Sequence, residues 1–386
     1  MGKSHTARLL LIAQALQQQY SYNIVVGISV AHEHLLNTYQ FKTIQIPDID
    51  YKGNFDDNIF AHYSTAIIKN IVAAECNIIK NIQPIAIVAD FRPTARISAC
   101  IQKIPLIAIA NAYMTNYFNP IAVLMPQLKS NSLTFKFISW ISTIIQNKQK
   151  KQLAKNFREV AKANNIQQLS SLYDFLNGDM TLIADLPDFC PLPNLPNHFQ
   201  YIGALDWNAQ KNEAIPPILP HKPLIYVSIG NTGNIALLQT AIKAFAKQEK
   251  YQVIITTGHY QAIINEQQYP HIFIYKNVNG DAVMQKSVLA IHCGGNGTTY
   301  QAMRHGIPSI VVPYNNDQLI NAHLIQKNEV GIALKKEAIT AEILWQTVLY
   351  MEQKRKNMPQ LSHFKHLLAQ TDAPATAAQK IHQFLQ

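Results

Sequence analysis

The chain has 386 residues, of which 48% are hydrophobic and only 15% charged, so it is long and apolar enough to bury two cores and unlike a disordered segment. Its formal net charge is +10, yet the basic residues are not interleaved with stacking aromatics, which argues against a nucleic-acid partner. Cys76, Cys100, Cys190 and Cys293 lie far apart without metal or redox spacing, and no apolar run has the length of a signal peptide or a membrane span, so a reduced, cytoplasmic protein is expected.

Along the chain, apolar runs of strand length alternate with helical stretches, the pattern of a parallel α/β protein. The opening Gly2-Lys3-Ser4-His5 matches only the last residues of a P-loop and carries no weight as one. A helix is predicted over residues 6–19, and strands over 22–28, 84–89 and 105–110. Asp90 follows the second of these strands at its carboxyl end. Asp48-Ile49-Asp50, an Asp-x-Asp sequence, falls in a loop region of this first half. Residues 111–127, with Tyr113, Tyr117 and Phe118, suit either ordinary packing or an apolar, aromatic partner.

Much of the positive excess falls between Lys129 and Lys162. There Lys148, Lys150, Lys151, Lys155 and Arg158 follow a run with Phe135, Phe137, Ile138, Trp140, Ile141, Ile144 and Ile145. Such a helix either lies on an anionic membrane or packs in the core ahead of a solvated, lysine-rich helix, and the second is the preferred expectation. The first would place the protein peripherally at the inner membrane.

The polar, proline-bearing stretch 206–223 reads as a linker between domains 1–205 and 224–386. Strands follow at 223–228 and 252–256. Gly230-Asn231-Thr232-Gly233, after the strand ending at Ser228, is either a phosphate-side loop or a plain turn. Residues 287–291 form a last strand-like run before His292-Cys293-Gly294-Gly295-Asn296-Gly297-Thr298. A helix is expected from Thr298 to His305, with Gly306 ending it, a strand over 309–312, and Asp317-Gln318 in the loop beyond. Glycines at a helix start let backbone approach a ligand, and free N–H groups there favour a phosphate. His292 would add a donor or a positive charge, and an acid beside an amide suits the hydroxyls of a sugar.

His292 to Thr298, with Asp317-Gln318-x-x-Asn321-Ala322, resembles the donor signature of family 1 glycosyltransferases of the GT-B type, the bacterial macrolide enzymes among them. Residues 178–187 and 195–203 also look like the end of the first domain in bacterial members. The resemblance implies two Rossmann-like domains facing across a cleft, an N-terminal acceptor domain and a C-terminal nucleotide-sugar domain, with the last helix packing back on the first. It implies that His292 touches the diphosphate, that Gly294, Gly295, Asn296, Gly297 and Thr298 bind phosphate, and that Asp317 and Gln318 hold the sugar; Ser228, Asn231 and Thr232 join the donor site if the 230–233 loop is a phosphate-side loop. Gln301 stands where many relatives place a ribose-binding glutamate, and the base-stacking Trp-x-Pro-Gln element of plant members is absent from residues 275–279.

Transfer would need a base. His5 resembles the family's Gly-x-x-His loop, and Asp90 occupies the strand end that carries the orienting aspartate. A histidine titrates near neutral pH, and a carboxylate partner would orient it. The family's first strand, which precedes that loop, has no counterpart here, because Met1 directly precedes Gly2; an upstream start or a fragment is the expectation. The expected activity is metal-independent, inverting transfer of a hexose from a nucleotide-diphosphate sugar, a UDP-sugar first, to a hydroxyl of a small-molecule or lipid acceptor, without a cofactor. The alternatives are a nucleotide-sugar epimerase and a non-catalytic sugar-nucleotide-binding protein.

Overall fold

A computed structural model describes residues 3–48, 59–125, 132–205, 215–230, 234–258 and 269–386. The chain forms two compact units, Met1–Trp207 with Asp372–Gln386, and Asn208–Thr371.

The first unit runs α1 (Lys3–Tyr20), β1 (Val25–Ile28), β2 (Lys42–Gln45), α2 (Thr65–Ile82), β3 (Ile87–Asp90), α3 (Pro93–Gln102), β4 (Leu106–Ala110), α4 (Ile121–Leu124), α5 (Leu133–Leu153), α6 (Lys155–Ala163), α7 (Leu172–Leu176), β5 (Met180–Ile183) and β6 (Phe199–Tyr201). Its main sheet has the order β3-β4-β5-β6, with every pairing parallel. The strand β4 is buried at every residue, as a parallel strand covered on both faces must be. Its alternate residues separate cleanly: Ile107 and Ile109 join Ile12, Ala15 and Leu16 of α1, whereas Leu106 joins Ala95 and Ala99 of α3. A second cluster builds outward from Ile97 through α2 and α6 to Phe175 of α7.

Among the described residues β3 has no strand on its outer side, and β1 pairs with β2 in a separate parallel ribbon. The side chain of Ile85, just before β3, is exposed.

The second unit runs β7 (Leu224–Ser228), α8 (Ile235–Phe245), β8 (Gln252–Thr256), β9 (Ile272–Tyr275), α9 (Gly280–Lys286), β10 (Ser287–His292), α10 (Asn296–His305), β11 (Ser309–Val311), α11 (Asn316–Lys327), β12 (Gly331–Ala333), α12 (Ala341–Lys354) and α13 (Pro359–Gln370). Its six strands are parallel in the order β12-β11-β10-β7-β8-β9. The sheet grows one way from β7 through β9 and then the other way from β10 through β12. The reversal lies between β7 and β10, where Ser228 and His292 are register partners at the carboxyl ends. Ligands of open α/β sheets bind at such switch points.

The final helix, α14 (Ala373–Leu385), belongs to the first unit and packs on α1. Ala377, Ala378 and Ile381 lie against Ile12 and Leu16, and the His382 ring stacks on Tyr20 at 4.1 Å between centroids.

Several local expectations change. His5 lies inside the first turn of α1 rather than in a loop before it, because that helix starts at Lys3. Asp317 and Gln318 open α11 instead of ending a loop: the Asn315 side chain accepts from the Gln318 N–H at 2.9 Å and caps the helix there. The signature helix α10 starts at Asn296, before the expected Thr298. Of the expected linker, residues 215–223 carry neither helix nor strand, while 206–214 lie outside the described residues.

The largest departure is α5. Its apolar spacing reads as a core face, yet Phe137, Trp140, Ile144 and Ile145 are exposed and Phe135 is its only buried residue.

Candidate functional site

Two polar centres stand at the carboxyl ends of strands. In the first unit, His5 Nδ1 lies 2.8 Å from Asp90 Oδ1. Asp90 is the last residue of β3, fully buried, and His5 retains 18% of its side-chain exposure. The ring of His5 also stacks on Phe91, 5.1 Å between centroids. Phe91 takes a φ of +52, an uncommon backbone state for an aromatic residue, at the turn that leads from the strand.

Arg8, one turn along α1 and 5% exposed, completes this centre, and the sequence reading does not single it out. Its Nε donates to Asp90 Oδ2 at 2.8 Å, one terminal nitrogen donates to Oδ1 at 2.9 Å, and the other donates to Asn111 Oδ1 at 2.9 Å. Asn111 donates onward to Asp185 Oδ2 at 3.3 Å, and that oxygen also accepts from the Ala112 N–H at 2.6 Å. Burial works to raise the pKa of Asp90, but the Arg8 charge, then that of His5, and the hydrogen bonds from both hold it below the ordinary carboxylate value. Asp90 is thus committed to this network and does not cap α3, whose N-cap is Arg92.

The Arg8 nitrogen that donates to Asp90 Oδ1 also approaches His5 Nδ1 at 3.1 Å. That contact would need the lone pair on Nδ1, whereas the shorter one to Asp90 needs Nδ1–H. The shorter contact selects the Nδ1–H tautomer and leaves Nε2 as a proton acceptor.

In the second unit, β10 delivers His292 at the switch point, 1% exposed. Its Nδ1 accepts from the Gly294 N–H at 3.0 Å, so the proton sits on Nε2. Nε2 is buried and has no hydrogen-bond partner among the described residues. Burial depresses the pKa of His292 to about 4. The ring is therefore neutral at physiological pH, which selects between the two expectations: His292 offers an N–H donor rather than a positive charge.

The loop that follows is built for close approach. Gly294 has φ +91, and a Cβ there would stand 2.9 Å from the Gln318 carbonyl and 2.9 Å from Val311. Asn321 Nδ2 donates to the Gly294 carbonyl at 2.9 Å and ties the loop to α11. Gly295 is the N-cap of α10 and Gly297 lies in its first turn; a Cβ at either would meet nothing within 4 Å. The chain itself does not demand glycine at these two positions. A glycine N-cap has no side chain to satisfy the helix's first N–H groups, so Asn296, Gly297 and Thr298 open a helix whose positive dipole end is uncapped.

Tyr314, between β11 and α11, is a second buried donor that the sequence reading misses. Its hydroxyl has no partner among the described residues, and burial, with Cys293 nearby, pushes its pKa up to about 12. Gln318 is buried, and its Oε1 accepts from the Tyr314 N–H at 2.8 Å, whereas Asp317 is exposed on the first turn of α11. The pair assigned to the sugar is therefore divided between a loop-holding residue and a surface one. Gln301 is half-buried on α10, its Oε1 3.8 Å from where a Cβ on Gly280 would stand at the start of α9. Ser228 is 9% exposed beside His292, and Asn231 and Thr232 lie outside the described residues. No cluster of three or more His, Cys, Asp or Glu suited to a metal occurs among the described residues. Asp50 and the Asp48-Ile49-Asp50 sequence as a unit extend outside them.

Residues 270–383 match the family described as Erythromycin biosynthesis protein CIII-like, C-terminal domain. The chain is 29% identical over 293 residues to a PGL/p-HBAD biosynthesis glycosyltransferase of Mycobacterium tuberculosis (strain ATCC 25177 / H37Ra), covering 72% of this chain and 66% of that relative. It thus spans just under two thirds of that relative's length. It is 25% identical over 346 residues to a PGL/p-HBAD biosynthesis rhamnosyltransferase of Mycobacterium bovis (strain BCG / Pasteur 1173P2), covering 88% of this chain and 76% of the relative. The spinosyn rhamnosyltransferase SpnG, solved with thymidine diphosphate, shares the fold: TM-score 0.70 at 14% identity, covering 99% of this chain and 97% of that one.

Proposed function

We propose that the chain, a homologue of family 1-like GT-B glycosyltransferases, transfers a hexose from a pyrimidine nucleoside-diphosphate sugar, of uridine or thymidine, to a hydroxyl of a small-molecule or lipid acceptor. The observation that carries the donor assignment is the buried, unpartnered Nε2–H of His292 beside the uncapped start of α10. A buried donor without an acceptor costs stability unless something supplies one, and a diphosphate oxygen is such an acceptor. The thymidine diphosphate bound to SpnG and the rhamnosyltransferase relative favour a nucleotide-activated hexose over other anions.

In this reading His5 Nε2 takes the proton of the acceptor hydroxyl while its Nδ1–H stays on Asp90. The acceptor oxygen forms a bond to the anomeric carbon from the face opposite the leaving group, and the bond from that carbon to the diphosphate breaks. Configuration is thereby inverted. The diphosphate leaves with the charge, which the α10 dipole and the neutral donor of His292 stabilise without a metal.

Melting curves with UDP, dTDP and GDP, and release of nucleoside diphosphate from the matching sugar conjugates, test both halves. A raised melting temperature with one pyrimidine nucleotide, lost in His292→Ala, is expected. His5→Ala should keep that shift and lower release by about 10² to 10⁴-fold. No shift with any nucleotide would refute the donor site, and unchanged release in His5→Ala would refute the base. Conversion of one nucleotide sugar into another without release would identify an epimerase.

A further inference from the structure

The helix α5 is built inside out. Leu133, Phe137, Trp140, Ile141, Ile144 and Ile145 all face away from the protein, with Phe137 59% and Trp140 61% exposed. From Phe137 the spacing i, i+3, i+4, i+7, i+8 puts these residues on one stripe. The inward side carries Phe135, Ile138 and Leu153, the last packed on the core cluster of α2 and α6, together with the polar Ser139, Ser142, Gln146 and Lys150. Ser139 accepts from Asn119 at 3.3 Å, Gln146 donates to Ser142 at 2.7 Å, and the Lys150 ammonium sits 4.2 Å above the Tyr173 ring. A helix serving only the core would bury the opposite face.

Charge follows the same stripe. Lys148 and Lys151 extend it by one turn, Lys136 flanks it, all three are exposed, and α5 contains no acidic residue. An apolar stripe with an indole near its middle and lysines at its end is complementary to a lipid interface whose headgroups are anionic: the rings enter the acyl boundary and the ammonium groups meet phosphate. No described helix is long and apolar enough to cross a membrane, so the contact lies in the interface plane. We infer that α5 docks the protein on an anionic lipid surface, with Phe137, Trp140, Ile144 and Ile145 inserted and Lys148 and Lys151 on the headgroups. This inference is independent of the transfer chemistry, because none of these residues belongs to either polar centre.

Flotation of the full chain with phosphatidylcholine vesicles, with and without phosphatidylglycerol, tests it. Wild type should float only with the anionic vesicles and lose that binding as salt rises. Phe137→Ser/Trp140→Ser should weaken partition by about tenfold or more, and Lys148→Glu/Lys151→Glu by a similar factor with loss of the salt dependence. Both variants change exposed side chains, so melting curves like that of wild type are expected. On the unmutated chain, brominated lipid should quench a component of tryptophan emission that Trp140→Phe removes. Absence of flotation with anionic vesicles, equal binding to pure phosphatidylcholine, or full binding by the apolar double variant would each overturn the inference. A wild-type dimer in sedimentation that Phe137→Ser/Trp140→Ser converts to monomer would assign the stripe to a second copy and overturn it as well.

Discussion

Around His5 every charged or amide group has found a partner within the first unit, whereas around His292 buried donors are left open. Asp90 is held by Arg8 and His5, and Arg8 reaches Asn111 and through it Asp185. His292 Nε2 and the Tyr314 hydroxyl have no acceptor among the described residues, and the helix that follows begins on a bare glycine. The first arrangement fixes the direction of one ring nitrogen before any substrate arrives. The second leaves its hydrogen bonds for a ligand to make, so its stability and its occupancy are linked.

The comparison is broken hardest at Asp90. Asp90→Ala should cost about 3–5 kcal/mol in denaturant unfolding, because it strands the buried Arg8 charge. Removing both partners in Asp90→Ala/Arg8→Leu should recover part of that loss, and a double variant no better than the single one would show that the ion pair is not the source. A smaller contrast lies in pH. His292 has its folded pKa lowered to about 4 from 6.5, so between those values the unfolded state binds the extra proton. The stability that the neutral ring contributes is complete above pH 6.5 and falls away as pH drops toward 4, by up to about 3 kcal/mol. Asp90, held below 3.8, begins to lose its contribution only below about pH 5, so the upper part of this window reports on His292. Urea unfolding from pH 7 to 4 should thus show a slope that His292→Gln flattens. The smallest effect separates the two glycines: Gly294→Ala should cost about 1–3 kcal/mol from its φ of +91 and its contact with Gln318, while Gly295→Ala, in open space, should leave melting of the free protein almost unchanged.

How far these centres were legible in the sequence follows from what local pattern encodes. The strands and the glycine-rich turn were legible because apolar runs fix strands and strand ends fix direction, whereas the pairing of His5 with Asp90 was implied by the family resemblance. Arg8 was not, since a charged residue three positions along a helix reads as solvated until its partner's place in space is known. Tyr314 sits in a short loop with no periodicity to mark it. His292 was found, but its charge depends on burial, which its neighbours in sequence do not reveal. For α5 the stripe was visible and its direction was not: a helical period says that one face is apolar, never which way it points. The shift of Asp317 and Gln318 into α11 came from Asn315, an N-cap at a position expected to be loop.

The bond from Asn321 to the Gly294 carbonyl, together with the close fit of Gly294 against Gln318, joins the turn before α10 to the first turns of α11. A group seated at α10 therefore cannot be sensed by that turn alone. Rotation of the peptide at Gly294 would break the amide contact from Asn321 unless α11 moved with it, so that one bond ties the turn's conformation to the position of α11.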